Sequence, residues 1–248
     1  MKKIIKKLLD KFGYEIKKTD VIREAGDIEK LLQNLKNRGL NCKSIMDVGA
    51  NRTHWSRMAK RVYPLSRFYL IEPLKEMQEK LEAFCQEYKD SSYFLVGAGA
   101  KNEKMVFTIW DDLDGSSFLP PPDKKLKIIG KQRDVEIVTI DSLIETSKVD
   151  TPDLIKLDVQ GFELEALKGA SKTFGITEVY VLEVSLFTFG DLPNFPIFSD
   201  VINFMLERDY VVYDFPGFRR RPFDMALGQC DVCFVKRNGT LRSSNRWE

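Results

Sequence analysis

Three short stretches of this 248-residue sequence place a glycine or an acid where an apolar run ends. The first is Asp47-Val-Gly-Ala-Asn51, in which the run 44–48 ends at Gly49 and a helical pattern follows. Glycine in such a turn lets a ligand approach the backbone, because no Cβ stands in the way. The helix that follows would offer free N–H groups and the positive end of its dipole. This turn predicts a site for a nucleoside-like ligand.

Glu72 ends the next apolar run, 68–71, and lies 25 positions after Asp47. An acid at that point of a βαβ unit can accept hydrogen bonds from both hydroxyls of a ribose. A solvated surface glutamate is the alternative, but an acid directly after a buried strand favours the ligand role. We therefore predict that Glu72 faces the same site as the turn that begins at Asp47.

Asp158 ends a third apolar run, 154–157, and two further acids, Glu163 and Glu183, follow at the same predicted edge. A carboxylate there can orient a substrate, bind a ligand amine or accept a proton. Three acids could also bind a divalent cation, but such groups more often cap helices or hold an ammonium, and we predict no metal. Lys156, inside the same run, requires a partner if it is buried.

The elements that position these residues alternate along the chain. The pattern predicts an α/β fold with a doubly wound, mostly parallel sheet of seven strands, whose ends meet at one edge, where ligands bind. The last two strands would form a hairpin. Strands are predicted at 44–48, 67–71, 93–96, 154–158, 179–184, 210–215 and 231–235, with helices at 27–37, 53–62, 74–88, 161–174 and 197–208.

The alternation is interrupted between Lys101 and Ile140, where strand patterns flank the run Pro120-Pro121-Pro122. Consecutive prolines forbid regular structure, and we interpret 101–140 as a β insertion over one end of the sheet. The predicted organisation is an N-terminal helical extension at 1–40, a main domain at 41–237 and a flexible tail at 238–248.

Composition excludes several classes of protein. The net charge of +2 is too balanced to indicate a nucleic-acid partner, and no stretch approaches the ~20 apolar residues of a membrane span. Four cysteines are too sparse for a disulfide framework, which predicts a reducing, cytoplasmic setting. Cys230 and Cys233 have the spacing of a zinc half-site, but a second pair is missing because His54 is the only histidine. A strand edge is the better interpretation of the two cysteines.

The first 12 residues, Met1 to Phe12, combine apolar residues at helical spacing with five lysines on the other face. A basic amphipathic helix of this kind docks on its own domain or a second copy of the chain, or lies peripherally on an anionic membrane at its inner face. We expect docking, because terminal amphipathic helices usually pack on protein.

The order and spacing of five motifs resemble the FkbM family of methyltransferases from about Cys42 to Val235. The motifs are Asp47-Val-Gly-Ala-Asn51, Leu70-Ile-Glu-Pro73, Val138-Thr-Ile-Asp141, the run Ile155-Lys-Leu-Asp-Val-Gln-Gly-Phe-Glu-Leu-Glu-Ala-Leu-Lys-Gly169, and Val181-Leu-Glu-Val184. The resemblance implies a class I methyltransferase, Rossmann-like fold and S-adenosyl-L-methionine as cofactor. It also implies O-methylation of a hydroxyl on a sugar, glycan, lipid-linked or natural-product acceptor.

Roles for single residues follow from the resemblance together with the strand-end positions. Asp158 is our first candidate for the base that takes the acceptor proton, and His54 is the second, since histidine titrates near neutrality. A solvent-facing residue at a helix start is the alternative for His54. The predicted cofactor-binding residues are Asp47, Gly49, Asn51, Glu72, Pro73, Gly97, Ala98 and Asp158.

Two positions depart from the family pattern. A glycine is usual near Thr53, and a glutamate is usual where Gln160 stands. The first departure affects the shape of the cofactor loop, and the second removes an acid from the active edge. The missing third glycine of a dinucleotide fingerprint also argues against a nicotinamide enzyme.

Side chains further along the sequence are candidates for the acceptor wall. Ser116 and Ser117 lie in a predicted turn, where they would bond a ligand or only shape the turn. The aromatic stretch 187–198 and the arginines Arg219, Arg220 and Arg221 would suit an acceptor with a phosphate or carboxylate. A lightly packed loop and a solvated charge run are the alternatives.

Two other functions remain open from the sequence. A non-catalytic domain of the same fold would bind the cofactor or a protein partner, and Thr53 and the amphipathic N-terminus fit that interpretation. A nicotinamide-dependent oxidoreductase is disfavoured by the incomplete glycine fingerprint.

Overall fold

The computed structural model describes residues 25–146, 148–188, 192, 195–244 and 246–247. Strands and helices alternate through most of this part of the chain, as the apolar pattern predicts. The strands are β1 (Ser44–Val48), β2 (Arg67–Ile71), β3 (Ser92–Phe94), β4 (Gly97–Ala98), β5 (Glu103–Thr108), β6 (Gln132–Val138), β7 (Leu154–Leu157), β8 (Val179–Ser185), β9 (Tyr210–Arg220) and β10 (Leu227–Lys236). The helices are α1 (Ile28–Asn37), α2 (His54–Val62), α3 (Gln78–Glu87), α4 (Lys124–Ile128), α5 (Ile140–Glu145), α6 (Glu163–Lys168) and α7 (Phe198–Leu206), with 3-10 turns at Lys75–Met77, Ser171–Thr173 and Thr240–Arg242.

The main sheet has seven strands in the order β3-β2-β1-β7-β8-β10-β9. Strands β3, β2, β1, β7 and β8 are parallel, whereas β10 is antiparallel to both β8 and β9. Every residue of β1 and β7 is buried, because apolar cores cover both faces of the sheet. The predicted doubly wound, mostly parallel α/β fold is confirmed, and the ends of β1, β2, β7 and β8 meet at one edge.

A second sheet of three strands, in the order β4-β6-β5, lies within and next to the predicted insertion. The prediction of one strand at 93–96 ending in Gly97 was wrong, because β3 ends at Phe94 and Gly97 pairs with Ile137 in the second sheet. A Cβ at Gly97 would lie 2.6 Å from the ends of the Ile137 and Phe118 side chains, both of which would have to shift to admit it. Residues 101–140 contribute β5, α4 and β6.

The predicted helix at 161–174 is shorter in the structure and ends at Gly169. A Cβ at Gly169 would lie 2.0 Å from the carbonyl oxygen of Gly99, so the chain makes a close backbone crossing there. The final hairpin is longer than predicted, since β9 runs to Arg220 and β10 begins at Leu227. Its outer half is partly exposed and therefore lacks the apolar run that a sequence pattern detects.

The predicted amphipathic helix from Met1 to Phe12 lies outside the described residues. Within the described residues, no helix is long and apolar enough to cross a membrane. The predicted tail, 238–248, begins with a packed 3-10 turn, in which Leu241 is buried and its carbonyl accepts a hydrogen bond from Arg38 at 3.0 Å.

Candidate active site

A cavity of about 820 Å³ opens at the edge where the parallel strands end. One side is formed by the residues after β1 and β2 and by the start of α2, and the opposite side by the ends of β7 and β8. Residues 112–116 and Phe118 of the insertion, together with the end of the β9–β10 hairpin, complete the wall. The volume lies in the upper part of the range of roughly 300–1,000 Å³ for small-molecule sites.

The turn after β1 has three residues with left-handed backbone, Gly49 (φ 78°), Asn51 (φ 43°) and Thr53 (φ 63°). A Cβ at Gly49 would lie 1.9 Å from the carbonyl oxygen of Asp158, so this position requires glycine. Thr53 adopts the left-handed conformation that glycine takes most readily, and only 1% of it is exposed. Such backbone costs a β-branched residue about 1–3 kcal/mol. The turn therefore forms without the usual glycine, at the expense of local strain.

Glu72 joins this turn to the end of β2. Its Oε2 accepts a hydrogen bond from the backbone N–H of Asn51 at 2.7 Å, and its Oε1 accepts one from Leu74 at 2.9 Å. Only 3% of the residue is exposed, yet it lines the cavity. Burial raises the pKa of Glu72 to about 7, although the two backbone N–H groups oppose the shift. Each carboxyl oxygen keeps a second lone pair, so Glu72 can still accept from a ligand hydroxyl.

Asp47 lies beneath the cavity and is not among the residues that line it. Its side chain is fully buried; one oxygen accepts a hydrogen bond from Ser56 Oγ, and the other lies 3.1 Å from Lys156 Nζ. Lys156 also donates to the carbonyl of Gly49 at 3.0 Å. Burial alone would lower the pKa of Lys156, but the carboxylates of Asp47 and Asp158 outweigh it and raise the pKa, so the lysine stays charged. Asp47 thus anchors the turn and α2 from below, and Lys156 is the partnered buried lysine that the sequence requires.

Asp158 and Glu183 lie at the ends of the neighbouring strands β7 and β8. The Gln160 side-chain amide links them, with Nε2 donating to Asp158 Oδ1 at 2.8 Å and to Glu183 Oε2 at 3.1 Å. Gln229 from β10 donates to the same Glu183 oxygen at 3.0 Å. Burial and then the nearby Asp158 raise the pKa of Glu183 to about 8. Gln160 therefore supplies a donor between two carboxyls where a glutamate would add a third negative charge.

Glu163 does not share this rim. Its Oε1 accepts the backbone N–H groups of Val159 at 3.0 Å and Gly161 at 3.2 Å, so it holds the loop after β7 from behind. Burial raises the pKa of Glu163 to about 7. Within the described residues, no group of three or more histidine, cysteine or acidic residues is arranged to hold a metal ion. Cys230 and Cys233 are buried thiols on β10.

The other predicted site residues also reach the cavity. His54 is exposed at the start of α2 and lines the cavity. The cavity is also lined by Asn51, Pro73, Gly97 and Ala98. Ser116 lines the wall, and its Oγ accepts from the Trp110 N–H at 3.2 Å, whereas Ser117 Oγ donates to the Gln160 carbonyl at 2.9 Å. The two serines therefore shape the wall and tie the insertion to the loop after β7.

One contact across the cavity was not predicted from the sequence. Arg52, in the turn after β1, forms an ion pair with Asp114 of the insertion, and Asn51 Nδ2 lies 3.2 Å from the same carboxylate oxygen. A second Arg52 nitrogen donates to the carbonyl of Asp112 at 3.3 Å. The insertion is therefore fastened over the turn after β1. The only signal in the sequence is an arginine directly after the turn, without an indication of its partner.

The raised carboxyl pKa values predict how stability depends on pH. The pKa values of Glu72 and Glu163 are about 7, and that of Glu183 is about 8, against an ordinary value of 4.5. Between pH 4.5 and about pH 8 the folded state therefore binds more protons than the unfolded state, so the free energy of unfolding decreases as pH rises. We expect Tm of the protein without ligand to be higher at pH 5.5 than at pH 8. Lys156 stays charged in both states over this range and contributes no slope.

Calorimetric unfolding at several pH values tests this expectation. Glu183→Gln should flatten the slope because it removes the highest of the raised pKa values, whereas exposed Glu79→Gln should leave it unchanged. A Tm that increases from pH 5.5 to pH 8 in the unaltered chain would contradict the assigned burial of these carboxyls.

A family model described as the methyltransferase FkbM domain matches residues 47–212. The chain belongs to the FkbM family of methyltransferases. The family and the cofactor, S-adenosylmethionine, are therefore as the sequence motifs predict. Among curated proteins, no match to the chain was found.

Several solved methyltransferases resemble this FkbM chain in structure. The FkbM methyltransferase from Methylobacillus flagellatus is 18% identical with a TM-score of 0.49, covering 86% of this chain; the match spans only 45% of that protein. The O-methyltransferase TomG from Streptomyces achromogenes, solved in complex with SAM, is 13% identical with a TM-score of 0.48, covering 94% of this chain and 88% of its own. The precorrin-6y C5,15-methyltransferase from Geobacter metallireducens is 13% identical with a TM-score of 0.46, covering 89% and 93%.

The residues at the β1–β2 end of the cavity fit S-adenosylmethionine. The backbone of Gly49 lines the cavity at the turn after β1, and Glu72 presents acceptor oxygens suited to two ribose hydroxyls. Asp158 offers a carboxylate for an amine. Apolar side chains on the wall suit a flat base, and they are Ile71, Leu74, Phe107, Leu113, Phe118 and Phe162.

Proposed function

We propose that this FkbM-family chain transfers a methyl group from S-adenosylmethionine to a hydroxyl of a sugar, glycan, lipid-linked or natural-product acceptor. The observation that carries the proposal is a single cavity lined by two groups of residues with different chemistry. The turn after β1 and Glu72 form one end, and Asp158, linked to Glu183, forms the other.

The cofactor supplies a methyl group on a positively charged sulfur, which is already a strong electrophile. The residues of the chain therefore mainly align the acceptor and exclude water. Transfer of that methyl group would leave the demethylated cofactor as the leaving group, and the hydroxyl proton of the acceptor would need a base in the chain. We assign that proton to Asp158, whose side chain is one-third exposed (33%), with His54 as the alternative acceptor.

Glu72→Ala should weaken the binding of S-adenosylmethionine by about 1–3 kcal/mol, because charge-assisted hydrogen bonds to the ribose are lost. Isothermal calorimetry with S-adenosylhomocysteine, the demethylated product, measures this change without an acceptor. Glu79→Ala is the matched control, since Glu79 is exposed on the helix that follows β2 and does not line the cavity.

The backbone bonds of Glu72 also support the turn, so the fold of the variant must be checked. Glu72→Gln keeps the side-chain shape and acceptor capacity on one oxygen, and its affinity should lie between those of the alanine variant and the unaltered chain. An unchanged affinity in a folded Glu72→Ala protein would remove Glu72 from the cofactor site.

Transfer of a tritiated methyl group tests the reaction itself. The protein and [methyl-³H]S-adenosylmethionine are incubated with the small-molecule extract of cells that lack the gene, and labelled products are separated. The expected result is a labelled methyl ether, formed at a hydroxyl oxygen and stable to alkali. Cofactor binding without labelling of small molecules, lipid fractions or glycans would favour the non-catalytic alternative, and binding of NAD alone would favour the oxidoreductase.

The same proposal extends to organisation and surroundings. We propose that 41–237 form the methyltransferase domain with 101–140 as its insertion, 1–40 a helical extension and 238–248 a tail. We also propose a small-molecule or glycan acceptor, no nucleic-acid partner and a cytoplasmic location, with the N-terminal helix available for self-association or peripheral contact with a membrane.

A further inference from the structure

Three consecutive arginines, Arg219, Arg220 and Arg221, line the cavity where β9 ends. Arg221 is already neutralised: it forms an ion pair with Asp224 and lies over the Phe187 ring at 3.9 Å from its centroid. Arg220 donates a hydrogen bond to the carbonyl of Met225 at 2.8 Å. Within the described residues, no carboxylate lies within 4.0 Å of the guanidinium of Arg219 or Arg220. Among the residues that the structure describes, these two positive charges therefore have no carboxylate partner.

Acidic residues deeper in the cavity do not compensate these charges. Asp158 faces Lys156 Nζ at 3.5 Å, and that lysine also pairs with Asp47. Glu183 accepts two amide hydrogen bonds, and its raised pKa favours the neutral carboxyl near pH 7. The charge balance at the β9–β10 side of the cavity is therefore positive.

The backbone that carries the arginines is held in place. The N–H of Leu186, which follows β8, donates to the carbonyl of Gly228 at 2.8 Å, which ties the hairpin to β8. A Cβ at Gly228 would lie 2.7 Å from Arg221 Cγ, so the arginine chain packs directly on the opposite strand. The backbone that positions the exposed side chains of Arg219 and Arg220 is therefore ordered before a ligand binds, which limits the conformational entropy lost to that of the side chains.

We propose that Arg219 and Arg220 bind a phosphate group of the methyl acceptor, which makes the acceptor a phosphorylated molecule, either a soluble phosphate ester or the headgroup of a lipid-linked substrate. The guanidinium group presents paired N–H donors that match phosphate oxygens. Arg219 and Arg220 line the same cavity as the turn after β1, so a phosphate bound by them would lie in the cavity that holds the cofactor. The assignment of this phosphate to a methyl acceptor rests on the proposed methyl transfer, whereas the anion site itself does not.

Calorimetric titration with inorganic pyrophosphate tests the site, in protein saturated with S-adenosylhomocysteine so that the N-terminus of α2 is occupied. The double variant Arg219→Gln/Arg220→Gln should bind pyrophosphate at least tenfold more weakly than the unaltered chain. Its affinity for S-adenosylhomocysteine should not change. Arg242→Gln/Arg246→Gln is the matched control, because both arginines are exposed and neither lines the cavity.

Vesicles of phosphatidylcholine with phosphatidylglycerol distinguish the two sources of phosphate. Vesicle binding that requires Arg219 and Arg220, together with pyrophosphate binding, identifies a lipid headgroup; pyrophosphate binding alone identifies a soluble ester. Absent pyrophosphate binding, or binding that survives the double substitution, overturns the proposal even if vesicles bind. Pyrophosphate binding without any binding of S-adenosylhomocysteine in the initial saturation would leave the anion site intact and contradict the proposed methyl transfer instead.

Discussion

Replacing Asp158 with asparagine is expected to lower kcat for methyl transfer by about 10²–10⁴-fold, the usual contribution of a general base. The substitution preserves size and the hydrogen bond from Gln160, which reaches Asp158 Oδ1 at 2.8 Å. Lys156 keeps Asp47 as its ion-pair partner at 3.1 Å, so the fold should persist. The loss is measured from the initial rate at which the tritiated methyl group enters the acceptor fraction of the extract, at saturating cofactor.

His54→Asn is the comparison that decides between the two candidate bases. His54 lines the cavity from the start of α2 and is exposed, so its replacement should leave the fold and most of the rate unchanged. If the histidine variant lost far more activity than Asp158→Asn, the proton would go to His54, and the role assigned to Asp158 would be wrong.

Replacing Lys156 with methionine should lower the free energy of unfolding by about 3–5 kcal/mol, since it leaves a buried charge without a partner. Asp47 is fully buried, and the contact from Ser56 Oγ would remain as its only polar contact within the described part of the chain. The carbonyl of Gly49 would lose its donor as well. Equilibrium unfolding in urea, monitored by circular dichroism, measures the change.

Two further variants separate charge from packing. Asp47→Asn combined with Lys156→Met should recover part of the stability, because no unpaired ion then remains. Lys168→Met removes an exposed lysine that pairs with Glu165, and it should cost at most about 1 kcal/mol. If Lys156→Met destabilised the chain no more than Lys168→Met, the buried pair would not be what holds the turn after β1.

The central strands could be predicted from the sequence because strands that are buried on both faces consist of continuous apolar runs. Strands β1 and β2 have the predicted bounds, and the predicted ends of β7 and β8 differ by one residue. The two-residue strand β4 could not be predicted, since Gly97 and Ala98 carry no periodic signal and pair only with distant β6. Fold class follows from local pattern, whereas the second sheet depends on long-range pairing.

The site shows the same division between local and long-range information. Gly49 and Glu72 could be predicted because a strand end determines which edge a residue reaches. Asp47 was grouped with them, but it is still inside β1, and its side chain points to the face of the sheet, where Lys156 lies. The pairing of Arg52 with Asp114 joins residues that are 62 positions apart, and no local pattern encodes such a contact.

Thr53 shows that the turn after β1 can form with a residue other than glycine at this position. Its backbone takes φ 63°, the left-handed conformation that glycine adopts without cost, and the threonine remains buried. The packing around the turn therefore determines the conformation more strongly than the residue's own preference does. Gln160 is a second departure, and its amide serves as the donor that links Asp158 to Glu183.

The most direct test of the account is a calorimetric titration of the purified chain with S-adenosylmethionine, S-adenosylhomocysteine and NAD. One molecule of either sulfur nucleoside should bind per chain, Glu72→Ala should weaken both, and NAD should not bind. A folded protein that binds neither sulfur nucleoside would contradict the cofactor site at the ends of β1 and β2.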